Sequence, residues 1–306
     1  MKVLVATEKP FAKVAVEGIR KIVEESGNQL ALLEKYTDVN DFYKAVADAD
    51  ALIVRSDKVT KEVIDAAQKL KIVVRAGAGF DNLDLAACTA RGIVAMNTPG
   101  QNSNAVAELA IGMMIYSARN MFQPGTGTEI RGKKLGIHAY GAVGKLVAAA
   151  AKGFAMDIYA YDPFVPADLM AKDGIKVVNS VEELYKTCHY VSLHIPANEK
   201  TKKSINYELL STMPKGACLV NTARKEVIDE EGLKKMLAER NDFKYVTDIA
   251  ADCQAELNEK FAGRIFATSK KMGAETSEAN VNAGLASANQ IVKFFKTGDK
   301  TFQVNK

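Results

Sequence analysis

Short runs of aliphatic residues alternate with helical segments along almost the whole chain, and the alternation is interrupted once. The first series reads KVLVAT, FAKVAVEGIRKIVEES, LALLE, DFYKAVADA, ALIVRS, EVIDAAQKL, KIVVRAG, LDLAACTARG and IVAMNT. The second begins at Lys134 with KLGIHAY and GKLVAAAAKGFA, and runs through DIYAYD, VEELYKT, YVSLHIP, ACLVNTA, EGLKKMLAE and YVTDIA to RIFATS. Strands and helices alternating at this spacing pair in parallel beneath a cover of helices. Two such series predict an α/β chain built on two parallel sheets.

The 306 residues exceed the length at which one core stops growing, which agrees with two domains. After TPG at 98–100 a segment near 104–119 is apolar on nearly all sides, the pattern of a buried helix. A loop rich in glycine and proline, FQPGTGTEIRGK, leads from it to the second series. The tail, SEANVNAGLASANQIVKFFKTG, reads as one amphipathic helix that returns to the first domain. The expected division is 1–98 plus 281–306 as one domain and 99–280 as the other.

Several function classes drop out. No run approaches the roughly 18 apolar residues of a membrane span, and MKVLVATEKP enters a strand without a secretory segment, so a cytoplasmic location is expected. Cys88, Cys188, Cys218 and Cys253 are far apart and form no CxxC pair, so neither a disulfide framework nor a metal site is expected. The net charge of +4 is spread through solvated groups such as EKTKK, which is no nucleic-acid track but suits small anionic ligands.

Chemistry concentrates after KLGIHAY. In AYGAVG, Gly141 allows a pyrophosphate to approach the backbone, Gly144 allows the following helix to pack close, and the helix N-terminus offers amide donors. The motif is degraded, because Ala139 stands where its first glycine belongs. A second strand then ends in Asp162, an acid placed to hold ribose hydroxyls and repel a 2′-phosphate, which selects NAD. The competing reading is a packing turn followed by a helix-capping aspartate.

RAGAGFDNLDLAACTARGIVAMNTPGQNSNAVAEL, YGAVG with YDPF, VSLHIP with TKKSINYELLSTMPKGACLVNTAR, and GAETSEAN together resemble the D-isomer-specific 2-hydroxyacid dehydrogenases, most closely their short D-3-phosphoglycerate dehydrogenase members. The resemblance covers nearly the whole chain. It implies two Rossmann-like domains, an active site in the interdomain cleft, a substrate-binding first domain and an NAD-binding second one. It also implies that Arg224 binds the substrate carboxylate and polarises the reacting oxygen, a role that suits a forked guanidinium. Cofactor contacts carried over are Ala78, Ala142, Val143, Asp162, Ile195, Thr222, Ala223, Asp248, Gly273 and Ala274, with Asp248 on the nicotinamide carboxamide. Substrate is expected at Ala76 and Gly77 of RAGAG and at Asn102, and Arg55 with Arg75 suits a phosphate.

One departure from the family is informative. Lys271 occupies the place of its catalytic histidine and Cys253 that of the glutamate assisting it. A histidine gains basicity from a carboxylate, whereas a lysine, starting near pKa ~10.4, needs a lowered pKa to exchange a proton. The two changes are therefore expected to be coupled: burial and Arg224 would lower the Lys271 pKa, and Cys253→Glu would raise the alkaline limb of the pH profile. Asp252, one residue away, is the alternative acid, and His194 the alternative base.

The expected function is NAD-dependent oxidation of D-3-phosphoglycerate to 3-phosphohydroxypyruvate, the entry step of serine synthesis, with Arg224 and Lys271 catalytic. The alternatives are a glyoxylate, hydroxypyruvate or D-lactate reductase of the same family, and a catalytically silent NAD-sensing corepressor. The expected partners are a phosphorylated hydroxy acid and a second copy in a homodimer, with no nucleic acid and no membrane.

Overall fold

The computed structural model describes residues 1–305. The chain separates into two compact units, Met1–Asn102 with Glu275–Lys306, and Ser103–Ala274. The first contains β1 (Lys2–Thr7), α1 (Lys13–Glu25), β2 (Gln29–Glu34), α2 (Val39–Val46), β3 (Ala51–Val54), α3 (Lys61–Ala66), β4 (Ile72–Arg75), α4 (Leu85–Ala90) and β5 (Val94–Asn97). The second opens with α5 (Ser103–Ala118), β6 (Lys134–His138), α6 (Ala142–Gly153), β7 (Asp157–Tyr161), α7 (Ala167–Lys172), β8 (Lys176–Val177), α8 (Val181–Thr187) and β9 (Tyr190–Leu193). It ends with α9 (Tyr207–Ser211), β10 (Cys218–Asn221), α10 (Glu230–Glu239), β11 (Lys244–Thr247), α11 (Gln254–Lys260) and β12 (Ile265–Ala267), after which α12 (Ser277–Thr297) belongs to the first unit.

The first unit is a five-stranded parallel sheet in the order β2-β1-β3-β4-β5. Successive residues of a strand face opposite ways. Val3, Val5 and Ile53 accordingly meet α1 and α12, while Leu4, Ala6 and Leu52 meet the α2 to α4 side. Helix α12 lies along α1 and against β3 and β4, starts at Thr276, whose side chain accepts from Ala279 N, and stops at the left-handed Gly298.

The free edge of β5 is covered by the last residues. Gln303 pairs antiparallel with Met96, and the buried Asn305 accepts from Ala95 N at 2.8 Å while donating to Ile93 O at 2.8 Å. Such a cover removes an edge that would otherwise template aggregation. Asn305→Ala strands a buried donor and a buried acceptor, so it should cost about 1–3 kcal/mol in urea denaturation.

The second unit is a seven-stranded parallel sheet in the order β12-β11-β10-β9-β6-β7-β8. Strands β9 and β10 are buried at every position, as expected where helices cover both faces. Helix α5 packs on α6 and over β10 and β11, which accounts for its apolar circumference. The order reverses direction between β6 and β9, and ligands of open α/β sheets collect at the carboxyl ends of strands beside such a reversal.

Among the described residues, no helix is long and apolar enough to cross a membrane, and no cluster of three metal-ligating side chains forms. Cys88, Cys188 and Cys218 are buried free thiols, and Cys253 is half-buried.

Candidate active site

The cofactor and catalytic candidates of the second unit follow the carboxyl ends of its strands. After β6 the chain turns into α6 at Gly141, an N-cap without a side-chain cap, so the first-turn amides of the helix remain available for phosphates. A Cβ on Gly144 would lie 2.3 Å from Ala139 O and 2.9 Å from Ile137 Cγ2. Helix and turn touch there through backbone alone. Gly144→Ala should therefore cost about 1–3 kcal/mol by overpacking and abolish the thermal stabilisation that NAD gives, which a thermal shift with and without NAD measures.

Ala139 holds the turn at φ +79°. Glycine adopts that conformation freely, whereas alanine pays about 1–2 kcal/mol for it. Asp162, at the end of β7, accepts from Tyr140 N with Oδ2 and from Phe164 N with Oδ1, both at 2.8 Å. Each oxygen keeps a further lone pair for a ribose hydroxyl. Between these groups lies a cleft of about 430 Å³ lined by Ala139, Gly141, Asp162, Ile195 and the two histidines His138 and His194.

Burial disfavours the charged form of both histidines. Burial, aided by the neighbouring His138, pushes the His194 pKa down to about 3, and its Nε2 is buried without a partner in the protein. Burial lowers His138 to about 4, with Asp162 opposing the shift. Both imidazoles are neutral at neutral pH. His189 lies at the opposite end of the sheet, where its Nδ1 accepts from Lys134 N at 3.4 Å.

The other half of the site follows β10, β11 and β12. Thr222 Oγ1 and Asp248 Oδ1 are buried without partners, while Asp248 Oδ2 accepts from Gly273 N at 2.7 Å. Gly273 must be small, since a Cβ would lie 2.8 Å from that carboxylate and 3.3 Å from Val106. Ala274 is half-buried next to it, and Ala142 and Val143 occupy the first turn of α6.

Arg224 stands in the turn after β10, which the buried Asn221 shapes. Asn221 Oδ1 accepts from Ala223 N at 3.0 Å, and its Nδ2 donates to Arg224 O at 3.0 Å and to Tyr245 OH at 3.3 Å. The sequence reading passed over Asn221. Its position inside NTAR, one residue before a buried threonine, was the available signal. Arg224 Nη1 donates to Ala223 O at 2.9 Å, and Lys271 Nζ donates to the same carbonyl at 3.2 Å. The two cations converge on one neutral acceptor, an arrangement that favours a bound anion.

The structure departs from the expected coupling in two ways. Lys271, after β12, is exposed rather than buried. The neighbourhood of Cys253 is also not free of carboxylates. Glu230 accepts from the amides of Asp252 at 2.7 Å and Cys253 at 3.1 Å, and burial together with that carboxylate pushes the Cys253 thiol up to about 12. A glutamate at 253 would meet Glu230 as a like charge. Asp252 pairs with Lys225 at 2.5 Å.

In the first unit, Arg55 follows β3 and serves as an internal strap. Its Nη1 donates to Lys9 O at 3.0 Å and Pro10 O at 3.1 Å, its Nη2 to Asn280 Oδ1 at 2.5 Å, and the guanidinium lies 5.3 Å from the Phe11 ring centre. Arg75, the last residue of β4, donates from Nε to Arg55 O at 3.0 Å and lies over Gly77, where a Cβ would come within 1.5 Å of Nη1. Gly77, at φ +149°, thus makes room for Arg75 itself. Ala76 is buried, Ala78 O accepts from Asn97 Nδ2 at 2.6 Å, and Asn102 is half-buried.

The amide-bearing turn, the ribose-facing acid and the orphaned Thr222 Oγ1, Asp248 Oδ1 and His194 Nε2 fit a nicotinamide dinucleotide. They define the second unit as a Rossmann dinucleotide-binding domain. A family model described as D-isomer specific 2-hydroxyacid dehydrogenase, NAD binding domain, matches residues 104–265. Hydroxypyruvate reductase of Thermotoga maritima is 32% identical over 283 residues, 87% of this chain and 91% of that one. The D-3-phosphoglycerate dehydrogenase of Methanocaldococcus jannaschii is 35% identical over 292 residues, 90% of this chain and 55% of the relative, so the chain spans about half the length of that protein. The crystal structure of cofactor (NAD+) bound 3-phosphoglycerate dehydrogenase in Entamoeba histolytica superposes with a TM-score of 0.88 at 50% identity, covering 100% of this chain and 99% of that one. The chain belongs to the D-isomer-specific 2-hydroxyacid dehydrogenase family, and NAD is its cofactor.

Proposed function

We propose that this protein oxidises D-3-phosphoglycerate to 3-phosphohydroxypyruvate with NAD, using Arg224 and Lys271 as its catalytic residues. The observation that carries the reading is the shared Ala223 carbonyl, which gathers both cations at the strand ends beside the buried, partnerless Asp248 Oδ1 and Thr222 Oγ1. Arg224 uses one of its five N–H donors on that carbonyl, and the rest of its fork is available to a carboxylate.

Bound NAD supplies a hydride acceptor. Asp248 Oδ1 would hold the carboxamide, and Asp162 would hold the adenosine ribose. Arg224 orients the substrate carboxylate and stabilises the charge on the C2 oxygen. Lys271 takes the proton of the C2 hydroxyl during oxidation and returns it to the carbonyl oxygen during reduction, as a positioned acid/base must. The first unit is the proposed substrate-binding domain, with Ala76, Gly77 and Asn102 as its proposed substrate contacts. Arg55 and Arg75 are the proposed phosphate ligands, and three donors of Arg55 are engaged within the first unit.

A second substrate reading has its own support, since one relative covering most of its length is a hydroxypyruvate reductase. Turnover followed by the near-ultraviolet absorbance of reduced nicotinamide decides. A kcat/KM higher for phosphohydroxypyruvate than for hydroxypyruvate, glyoxylate or D-lactate with its oxo acid supports the proposal. The reverse order overturns the substrate assignment, and no turnover with any of them overturns the proposal.

A further inference from the structure

We propose that the methyl group of Ala139 is a steric gate at the ribose end of the cofactor cleft, excluding a 2′-phosphate independently of the charge on Asp162. Seven non-glycine residues have positive φ, and among the described residues only Ala139 also lines the cleft of about 430 Å³. Strain of this kind persists where the surroundings over-determine it, and it concentrates at ligand clamps.

Three contacts fix the backbone that carries the methyl. Ala139 N donates to Tyr161 O at 2.9 Å, which ties it to the residue immediately before Asp162. Tyr140 N, the next amide, donates to Asp162 Oδ2. Ala139 O lies against Gly144, so the turn cannot retreat from the cleft without pushing into α6. The turn that carries the methyl is therefore tied to the strand end that carries the carboxylate by two successive backbone amides. A hydroxyl fits beside a methyl where a tetrahedral phosphate does not.

The consequence is that removing the acid alone leaves the cleft closed to NADP. One added methyl group in a fitted pocket discriminates by roughly 10–200-fold. The test uses calorimetric titration with NAD and NADP, so it reads binding and does not depend on which acid is turned over. Asp162→Ser is expected to remain a poor NADP binder, and Ala139→Gly with Asp162→Ser to bind NADP at least about tenfold more tightly than Asp162→Ser does. Ala139→Gly alone should bind NAD at least as tightly as the parent and melt at a higher temperature, because the turn loses its strain. Equal NADP affinity in Asp162→Ser and in the double variant contradicts the gate, as does an Asp162→Ser variant that binds NADP as tightly as NAD.

Discussion

Lys271→Ala is expected to lower kcat/KM by roughly 10²–10⁴-fold, the range that a positioned acid/base group supplies. NAD affinity should change little, since Lys271 bonds to Ala223 O and no cofactor-holding side chain depends on that bond. Lys271→Arg separates proton transfer from simple attraction: a guanidinium keeps the charge but does not release a proton in the accessible pH range. The arginine variant should bind the oxo acid and turn over as slowly as the alanine variant. For reduction the ammonium form donates the proton, and Lys271→Ala has no such donor.

Arg224→Gln should lower kcat/KM for the hydroxy acid by roughly 10²–10³-fold, the usual loss when one donor to a developing oxyanion is removed. The loss should appear in both kcat and KM, because the guanidinium is assigned to the carboxylate and to the reacting oxygen. Arg224→Lys should recover little, since an ammonium cannot grip a carboxylate with two parallel bonds. Steady-state kinetics in both directions, with NAD affinity measured separately, distinguishes this from a cofactor defect. A variant with parental kcat and only a raised KM would leave Arg224 as a binding group and remove it from catalysis.

Much of the fold was legible because parallel strands buried on both faces leave a strong imprint. ALIV, YVSL and CLVN are continuous apolar runs flanked by turn residues, and each is a strand buried along its length. Arg224 and Lys271 stand out in the sequence by their motifs, and in the structure both donate to one carbonyl. What stayed hidden depends on side-chain direction, which spacing does not encode. Arg55 suits a phosphate by its place in the sequence, and in the structure Lys9, Pro10 and Asn280 engage its donors. Glu230, far from Cys253 in sequence, arrives there through the turn ahead of α11. Asn305 closes the β5 edge from the last residues of the chain, a long-range pairing with no local signal.

Chemical rescue tests the central claim most directly. If an amine at 271 moves the proton, small primary amines added to Lys271→Ala should restore reduction in proportion to their concentration, with a rate that depends on amine pKa. Turnover by Lys271→Ala at the parent speed, or a slow variant that amines of every pKa leave unaltered, would contradict that assignment.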